Sequence, residues 1–208
     1  MPTADAAPPT GTASAGDDEV TWGGENVLVL SSTDGGGDDY CSERLSSSHG
    51  SAPSNALLIS LEESPDRRFD AVVRGGTASP SNVAIVCCDQ SRGAAAATQG
   101  SGHGPGLTPG PWIATVGSPD DLTGLGIRIR EVLSAWANDP GSVELCFHNL
   151  QTLLGHVDAR DAFRFCHAVT RHIRSTDARS HFHLDPVAVS ERTLNTLRPV
   201  FDRVEDCR

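Results

Sequence analysis

Short segments dominated by apolar residues recur along the chain and alternate with longer, more polar stretches. Such segments are typical of strands in a parallel sheet that is covered on both faces, because neither face of the strand meets water. The pattern predicts six strands, at residues 26–30, 55–61, 82–88, 112–116, 143–147 and 180–184.

Four helices are predicted between or after these strands. The best-marked one begins at Ser118-Pro119-Asp120-Asp121, which offers an N-cap, a proline at the first helical position and acids in the first turn. Apolar residues from Leu122 to Trp136 then recur at helical spacing. The other helices are predicted around 40–48, at 158–175 and at 190–203.

Strands that alternate with helices predict an α/β fold with three layers, αβα, and a mostly parallel sheet. We expect one domain over residues 23–208. Residues 1–22 are of low complexity and are predicted to be disordered, because they cannot bury enough apolar surface to offset the entropy of ordering. Residues 91–110, rich in Gly, Ala and Pro, are predicted to be a flexible insert.

The charge composition indicates that the protein works at high salt concentration. The chain carries 27 acidic and 16 basic side chains, a net charge of −11, and every basic one is arginine. An acidic surface without lysine is typical of proteins that work at about 1 M salt, where a screening length of roughly 3 Å removes most self-repulsion. A GC-rich genome that favours arginine codons is the alternative explanation.

The lack of recognisable targeting signals and the cysteine usage both favour a cytoplasmic protein without membrane contact. No segment resembles a signal peptide, and no apolar run approaches the roughly 18 residues that a membrane span needs. The six cysteines include no C-x-x-C pair and do not resemble a disulfide framework, so we expect reduced thiols.

The segment after the first strand has the layout of a phosphate-binding loop, G-x-x-x-x-G-K-[ST] between a strand and a helix. Aligned without gaps, Ser32 and Gly37 take the places of the two glycines. Asp38 then replaces the lysine, and Asp39 replaces the Ser/Thr that holds Mg²⁺. Because the lysine normally contacts the β/γ-phosphates, an aspartate in its place opposes nucleotide binding.

Three segments together resemble the RecA/KaiC-like branch of P-loop ATPases, over about residues 24–206. Besides the strand and loop at 26–39, residues 58–65 end in Glu62-Glu63-Ser64-Pro65, as in KaiC-like ATPases, where these glutamates activate the attacking water. Residues 143–150 are similar to the Walker B strand, with His148 in place of the aspartate that supports Mg²⁺. The segments SPDDLTGLGIRI and HFHLDP also resemble an uncharacterised haloarchaeal family of degenerate RecA-like proteins.

The resemblance implies a RecA-like P-loop fold, and its nucleotide site is open to two interpretations. In the favoured one the site is lost: its aspartates cap the following helix, no cofactor binds and no residue is catalytic. In the alternative, ATP still binds and Mg²⁺ contacts an aspartate directly, with Glu62 and Glu63 as the residues of a weak ATPase. The loop residues concerned are Ser32, Gly35, Gly36, Gly37, Asp38 and Asp39.

Histidines form a second candidate site. His181 and His183 are two apart on a strand and therefore point to the same face, and His148 ends the preceding strand. Either Cys146 or Cys166 could join them as a zinc-type ligand. The spacing matches no known zinc motif, so hydrogen-bonded core histidines are the favoured interpretation and a metal site the alternative.

A cationic stripe on one helix is the third candidate site. Its residues are spaced four and three apart and cover a face about 80° wide, at roughly 100° per residue. It is either a solvated face paired with local acids or a docking surface for an acidic protein; nucleic acid is disfavoured, because phosphate contacts weaken steeply with salt. The stripe consists of Arg160, Arg164, His167, Arg171 and Arg174.

These observations predict a non-catalytic RecA/KaiC-like regulatory or signalling adaptor of a halophilic cytoplasm. By analogy with RecA-like assemblies, its expected partner is a protein, either a RecA-like homologue or a second copy of the chain. The alternatives are a residual ATP-binding protein or weak ATPase, and a metal-binding sensor that uses His148, His181 and His183.

Overall fold

The computed structural model describes residues 24–32, 36–46, 55–73, 80–88, 111–139 and 141–208. Seven strands in these segments form one all-parallel sheet in the order β4-β3-β2-β5-β6-β1-β7. The strands are β1 (Asn26–Leu30), β2 (Asn55–Ser60), β3 (Asn82–Cys88), β4 (Trp112–Val116), β5 (Val143–His148), β6 (Arg179–Leu184) and β7 (Arg203–Asp206). The helices are α1 (Gly36–Ser46), α2 (Pro65–Val73), α3 (Leu122–Trp136), α4 (Leu150–His156), α5 (Ala159–Ser175) and α6 (Glu191–Leu197).

Helices cover both faces of the sheet, which confirms the predicted three-layer α/β fold. A large core lies under α3, α5 and α6, where Trp136 and Phe147 are among the largest buried side chains. A smaller core lies under α1 and α2 and includes Leu45, Leu58 and Ile85. The face under α1 and α2 also holds most of the buried polar groups, and the candidate site is built there.

Most of the predicted elements are confirmed, and small differences concern where they begin. The six predicted strands are present, and α3 and α5 lie where the apolar spacing placed helices. The N-cap of α3 is Asp121 rather than Ser118: its side chain accepts a hydrogen bond from the Gly124 amide. Helix α1 begins at Gly36 rather than around residue 40, while residues 47–48 lie outside the described segments.

The prediction of one helix over 190–203 is wrong. Helix α6 ends at Leu197, a 3-10 turn follows at Arg198–Val200, and the chain then forms β7 beside β1. Pro199 explains the break, because a proline lacks the N–H that would continue the helical ladder. Pairing with β1 then determines the conformation of Arg203–Asp206, a mostly exposed edge strand without an apolar pattern.

Two short helices, α2 and α4, were not predicted. The predicted disordered tail at 1–22 and the predicted insert at 91–110 lie outside the described residues. In the segments that the structure describes, no helix is both long and apolar enough to cross a membrane.

Candidate functional site

The carboxyl ends of β1, β5 and β6 meet at one edge of the sheet, where ligands bind in folds of this kind. The described residues at this edge line a cavity of about 100 Å³. It brings the loop after β1 together with the ends of β2, β5 and β6. Its lining includes Ser31, Ser32, Gly37, Asp38, Glu63, His148 and His183.

The loop residues with the P-loop layout divide between this cavity and solvent. Ser32, Gly37 and Asp38 line the cavity, whereas Asp39 is exposed, and Gly35 lies outside the described residues. Gly36 is the first residue of α1. A Cβ atom at Gly37 would lie 3.0 Å from Nδ1 of His183, so a larger residue there would force the His183 side chain to move by a few tenths of an ångström.

Arg68 reaches from α2 under the loop and is completely buried. Its Nη1 forms an ion pair with Asp38, and its Nη2 lies 3.3 Å from the sulfurs of both Cys41 and Cys146. Burial alone would lower the pKa of Arg68, but Cys146, Cys41 and Asp38 together raise it above its ordinary value. The guanidinium therefore stays charged, and these three partners are side chains of the protein itself.

Four buried side chains converge beneath the loop: Cys41 of α1, Cys146 of β5, and His181 and His183 of β6. Their candidate ligand atoms all lie within 4.8 Å of one another. Burial raises the pKa of Cys146, but the hydrogen bond with Cys41 and the charges of His181 and Arg68 outweigh burial and hold that pKa well below its ordinary value. The same burial and the neighbouring Cys146 raise the pKa of Cys41.

Glu144 contacts this cluster through His181 and is itself buried. Its carboxylate lies 2.9 Å from Nδ1 of His181, 3.2 Å from Nε of Arg44 and 3.1 Å from Nε of Arg179. Although burial raises the pKa of Glu144, His181 and the two arginines lower it below its ordinary value. Conversely, burial lowers the pKa of His181, but Cys146 and Glu144 raise it to about 9.

The predicted histidine site is only partly what the structure brings together. His181 and His183 share one face, as expected, and the ring of His148 lies 5.9 Å from that of His183. Of the two cysteines considered, Cys146 joins the histidines, whereas Cys166 packs into the large core on the other face of the sheet. His148 does not belong to the four-residue group, whose fourth member, Cys41, was missed.

His148 and Glu63 line the cavity, Glu62 is not among its lining residues, and all three side chains make weak contacts. Burial, Arg68 and His183 lower the pKa of His148 to about 4, so the imidazole is neutral near pH 7. Its Nε2 lies 3.9 Å from the carboxylate of Glu63. Glu62 is exposed and accepts a hydrogen bond of 3.4 Å from the side chain of Asn149.

The described residues do not fit Mg²⁺-ATP. Asp38 lies where the P-loop layout would have its lysine, and its carboxylate is already neutralised by Arg68. Mg²⁺ prefers oxygen ligands, so the neutral imidazole of His148 is a poor substitute for an aspartate. The cavity of about 100 Å³ is also well below the roughly 300–1,000 Å³ of pockets that hold drug-sized ligands.

The cationic stripe is exposed along the whole of α5, as predicted. Arg164 pairs with Asp161 at 3.3 Å, and Arg174 pairs with Asp202 at 2.7 Å. Arg160 and Arg171 form no ion pair with any residue in the described segments. Local acids therefore neutralise only part of the stripe.

An apolar groove of about 280 Å³ runs beside the stripe, between α3 and α5. Phe165 and Val169 of α5 and Ile127 of α3 line it, and Ile127 is 49% exposed. Arg130 and His172 add polar groups to its wall. This groove was not predicted, because the pattern of apolar residues along the sequence does not show how two helices pack against each other.

Comparisons with known proteins supply a family and a fold. A family model described as a family of unknown function (DUF7504) matches residues 24–205. None of the curated proteins matches the chain. A solved structure from Pyrococcus horikoshii OT3, described as a structural study, is similar with 11% identity over 89% of this chain and 82% of that chain, at a TM-score of 0.54. At this identity the likeness shows the fold alone.

Proposed function

The chain belongs to this family of unknown function, DUF7504, and we propose that it is a non-catalytic RecA/KaiC-like adaptor that binds an acidic protein partner. The observation that carries the proposal is the pair formed by Asp38 and the buried Arg68. In a P-loop ATPase, a cation in this region serves the phosphates. Here the cation, Arg68, pairs with the carboxylate of Asp38, which lies where the P-loop layout has its lysine. The negative charge of Asp38 therefore takes the place that the charge of a bound phosphate would have.

The surface of α3 and α5 supports the docking role. Its groove offers apolar contact area at Ile127 and Phe165, and the stripe beside it carries Arg164 and Arg171. An apolar groove between two helices can accept the apolar face of an amphipathic helix. Because cations border the groove, we propose that the partner presents an acidic segment with apolar side chains on one face. At molar salt only charges in direct contact contribute, so such a surface selects a partner by fit and not by long-range attraction.

Mg²⁺-ATP is expected to leave the melting temperature unchanged in molar KCl. A ligand at 100 times its dissociation constant stabilises a protein by about 2.7 kcal/mol, which raises the midpoint by roughly 5–10 °C for a domain of this size. Thermal unfolding followed by circular dichroism, with a working P-loop ATPase in the same buffer as the positive control, measures the effect.

A reproducible rise with ATP would contradict the proposal and favour the alternative, a residual ATP-binding protein or weak ATPase. Glu63 lines the cavity and is the residue through which that alternative would act. If the wild-type chain hydrolyses ATP, and Glu63→Gln abolishes the hydrolysis while ATP still raises the melting midpoint of that variant, the chain is an ATPase. A rise without hydrolysis would identify a nucleotide-binding protein.

Reversal of the stripe with Arg164→Glu and Arg171→Glu is expected to remove partner binding without unfolding the chain. Both side chains are exposed, and the Arg164–Asp161 pair is a surface pair that contributes only about 0–1 kcal/mol. With the wild-type chain as bait, quantitative capture from its own cell extract in molar KCl identifies the partner. We expect at least a tenfold loss of that protein with the reversed bait.

The matched control is Arg67→Glu with Arg192→Glu, the same charge change at exposed positions on α2 and α6. This control should retain the partner. A set of captured proteins that is identical for all three baits would contradict the docking surface. Sedimentation velocity of the purified chain tests whether the occupant is a second copy, which would appear as a dimer that the reversed variant does not form.

A further inference from the structure

Cys41, Cys146, His181 and His183 form a compact group of buried side chains. All four ligand atoms lie within 4.8 Å of one another, and Nε2 of His181 lies 3.1 Å from Sγ of Cys41. A tetrahedral zinc ion with Zn–S bonds of about 2.3 Å and Zn–N bonds of about 2.0–2.1 Å places its ligand atoms roughly 3.3–3.8 Å apart. Small side-chain rotations close the remaining gap.

The second hydrogen-bonding position of each histidine is already oriented as in a metal centre. Nδ1 of His181 faces the carboxylate of Glu144 at 2.9 Å, which leaves Nε2 directed at the cysteines. Nδ1 of His183 faces the hydroxyl of Ser31 at 3.5 Å. A carboxylate or hydroxyl behind a ligating imidazole fixes its tautomer and its orientation.

A metal ion would also satisfy groups that are otherwise costly to bury. Nε2 of His183 is buried and has no hydrogen-bond partner among the described residues. An unsatisfied buried nitrogen of this kind costs about 1–3 kcal/mol. Two thiolates and two neutral imidazoles around a divalent cation form a neutral centre, and the adjacent Arg68 is already balanced by Asp38. The guanidinium of Arg68 donates toward both sulfurs at 3.3 Å, which stabilises them as thiolates.

We propose that Cys41, Cys146, His181 and His183 bind one Zn²⁺ in a closed, four-coordinate site. Soft thiolates with imidazoles select zinc over Mg²⁺ or Ca²⁺, which prefer oxygen. All four ligands come from the protein and all are buried, so no position remains for water or substrate, and the ion is structural rather than catalytic. The ion links α1 to β5 and β6, and the cavity lined by Gly37 and His183 provides its path of entry.

This site is independent of the adaptor function proposed above and goes beyond it. Binding displaces the thiol proton of Cys41 and any proton on Nε2 of His181, so metal uptake releases protons to solvent. The competing structure is a metal-free polar core, in which Sγ of Cys41, the imidazole of His181 and the carboxylate of Glu144 form a hydrogen-bonded chain.

The test is the metal content of the full chain purified with a thiol reductant in chelator-free molar KCl. We expect one zinc per chain by plasma mass spectrometry. Replacement by Co²⁺ should give the visible bands of a tetrahedral ion and near-ultraviolet thiolate-to-cobalt charge transfer. Cys146→Ser and His183→Gln should each lose the stoichiometric metal and, after cobalt is added, fail to develop the bands of the wild-type site.

Two matched controls locate the site. Cys166→Ser changes a cysteine that is equally buried but lies in the other core, and His148→Gln changes the histidine that ends β5. Both should keep one metal per chain. If Cys146→Ser does not fold, His183→Gln carries the test, because Nε2 of His183 has no partner to lose among the described residues.

Two outcomes would overturn the proposal. A folded wild-type chain that contains no zinc and develops no cobalt bands would show that the cluster is only a hydrogen-bonded core. Metal that is retained equally by Cys146→Ser and His183→Gln would show binding elsewhere on the chain.

Discussion

Exchange of Glu144 for glutamine is expected to lower the free energy of unfolding by about 3–5 kcal/mol, because it removes a buried carboxylate that three cationic side chains share. The carboxylate pairs with Arg44 at 3.2 Å, with Arg179 at 3.1 Å and with His181 at 2.9 Å. These three partners are themselves buried or nearly so, and a neutral amide would remove the carboxylate charge that they share. Urea unfolding in molar KCl measures the difference.

Glu131→Gln is the matched control, because Glu131 is exposed and its ion pair is with Arg128, one turn away on α3. It should change the free energy of unfolding by less than about 1 kcal/mol. If Glu144→Gln cost no more than this control, the carboxylate would serve only as a packing group. The same variant also reports on the proposed zinc site, because loss of a carboxylate behind a ligating histidine typically weakens metal binding by about 10–100-fold.

The sheet could be predicted because most of its strands are short runs of largely apolar residues. Runs such as Val27–Leu30 carry the signal without any help from tertiary contacts. The edge strand β7 carries no such signal: Arg203 to Asp206 is polar and becomes a strand only because β1 pairs with it. An edge strand is therefore determined by its neighbour and not by its own pattern.

Helix α2 was missed for a different physical reason. Its start, Ser64-Pro65-Asp66, resembles the start of α3 and was available in the sequence. However, its core-facing side includes Arg68, which looks like a surface residue in any hydrophobic pattern although it is completely buried. A buried charge cannot be distinguished from an exposed one until its partners are located, and these partners lie in α1 and β5.

The same limit explains which part of the candidate site could be predicted. Residues on one strand share a face at every second position, so His181 and His183 were correctly grouped. Glu144, Cys146 and His148 obey the same rule on β5. Cys41 obeys no such rule, because it lies in α1 and the sequence does not show which side of that helix faces the sheet. Contacts between residues 105 or more positions apart, such as Cys41 with Cys146, depend on the complete fold.

Exchange of Arg68 for methionine is expected to lower the free energy of unfolding by about 3 kcal/mol, because the guanidinium makes charged hydrogen bonds worth about 1.5–3 kcal/mol each in a buried setting. Methionine fills much of the same volume but donates no hydrogen bond. The sulfurs of Cys41 and Cys146 would then lose their donor, and Asp38 would lose its cation. Since the side chain of Asp38 is 42% exposed and water can replace its partner, we place the loss at the lower end of what a fully buried pair would cost.

Arg67→Met is the matched control, since Arg67 precedes Arg68 in α2 and is exposed. The control should change the free energy of unfolding by less than about 0.5 kcal/mol. A double-mutant cycle with Asp38→Asn isolates the pair itself: a favourable coupling energy above about 1 kcal/mol is expected if Arg68 neutralises the loop. Additive effects of Arg68→Met and Asp38→Asn would mean that the carboxylate at the lysine position is not held by Arg68. The observation that supports the proposed loss of nucleotide binding would then fail, even if the melting temperature remained insensitive to ATP.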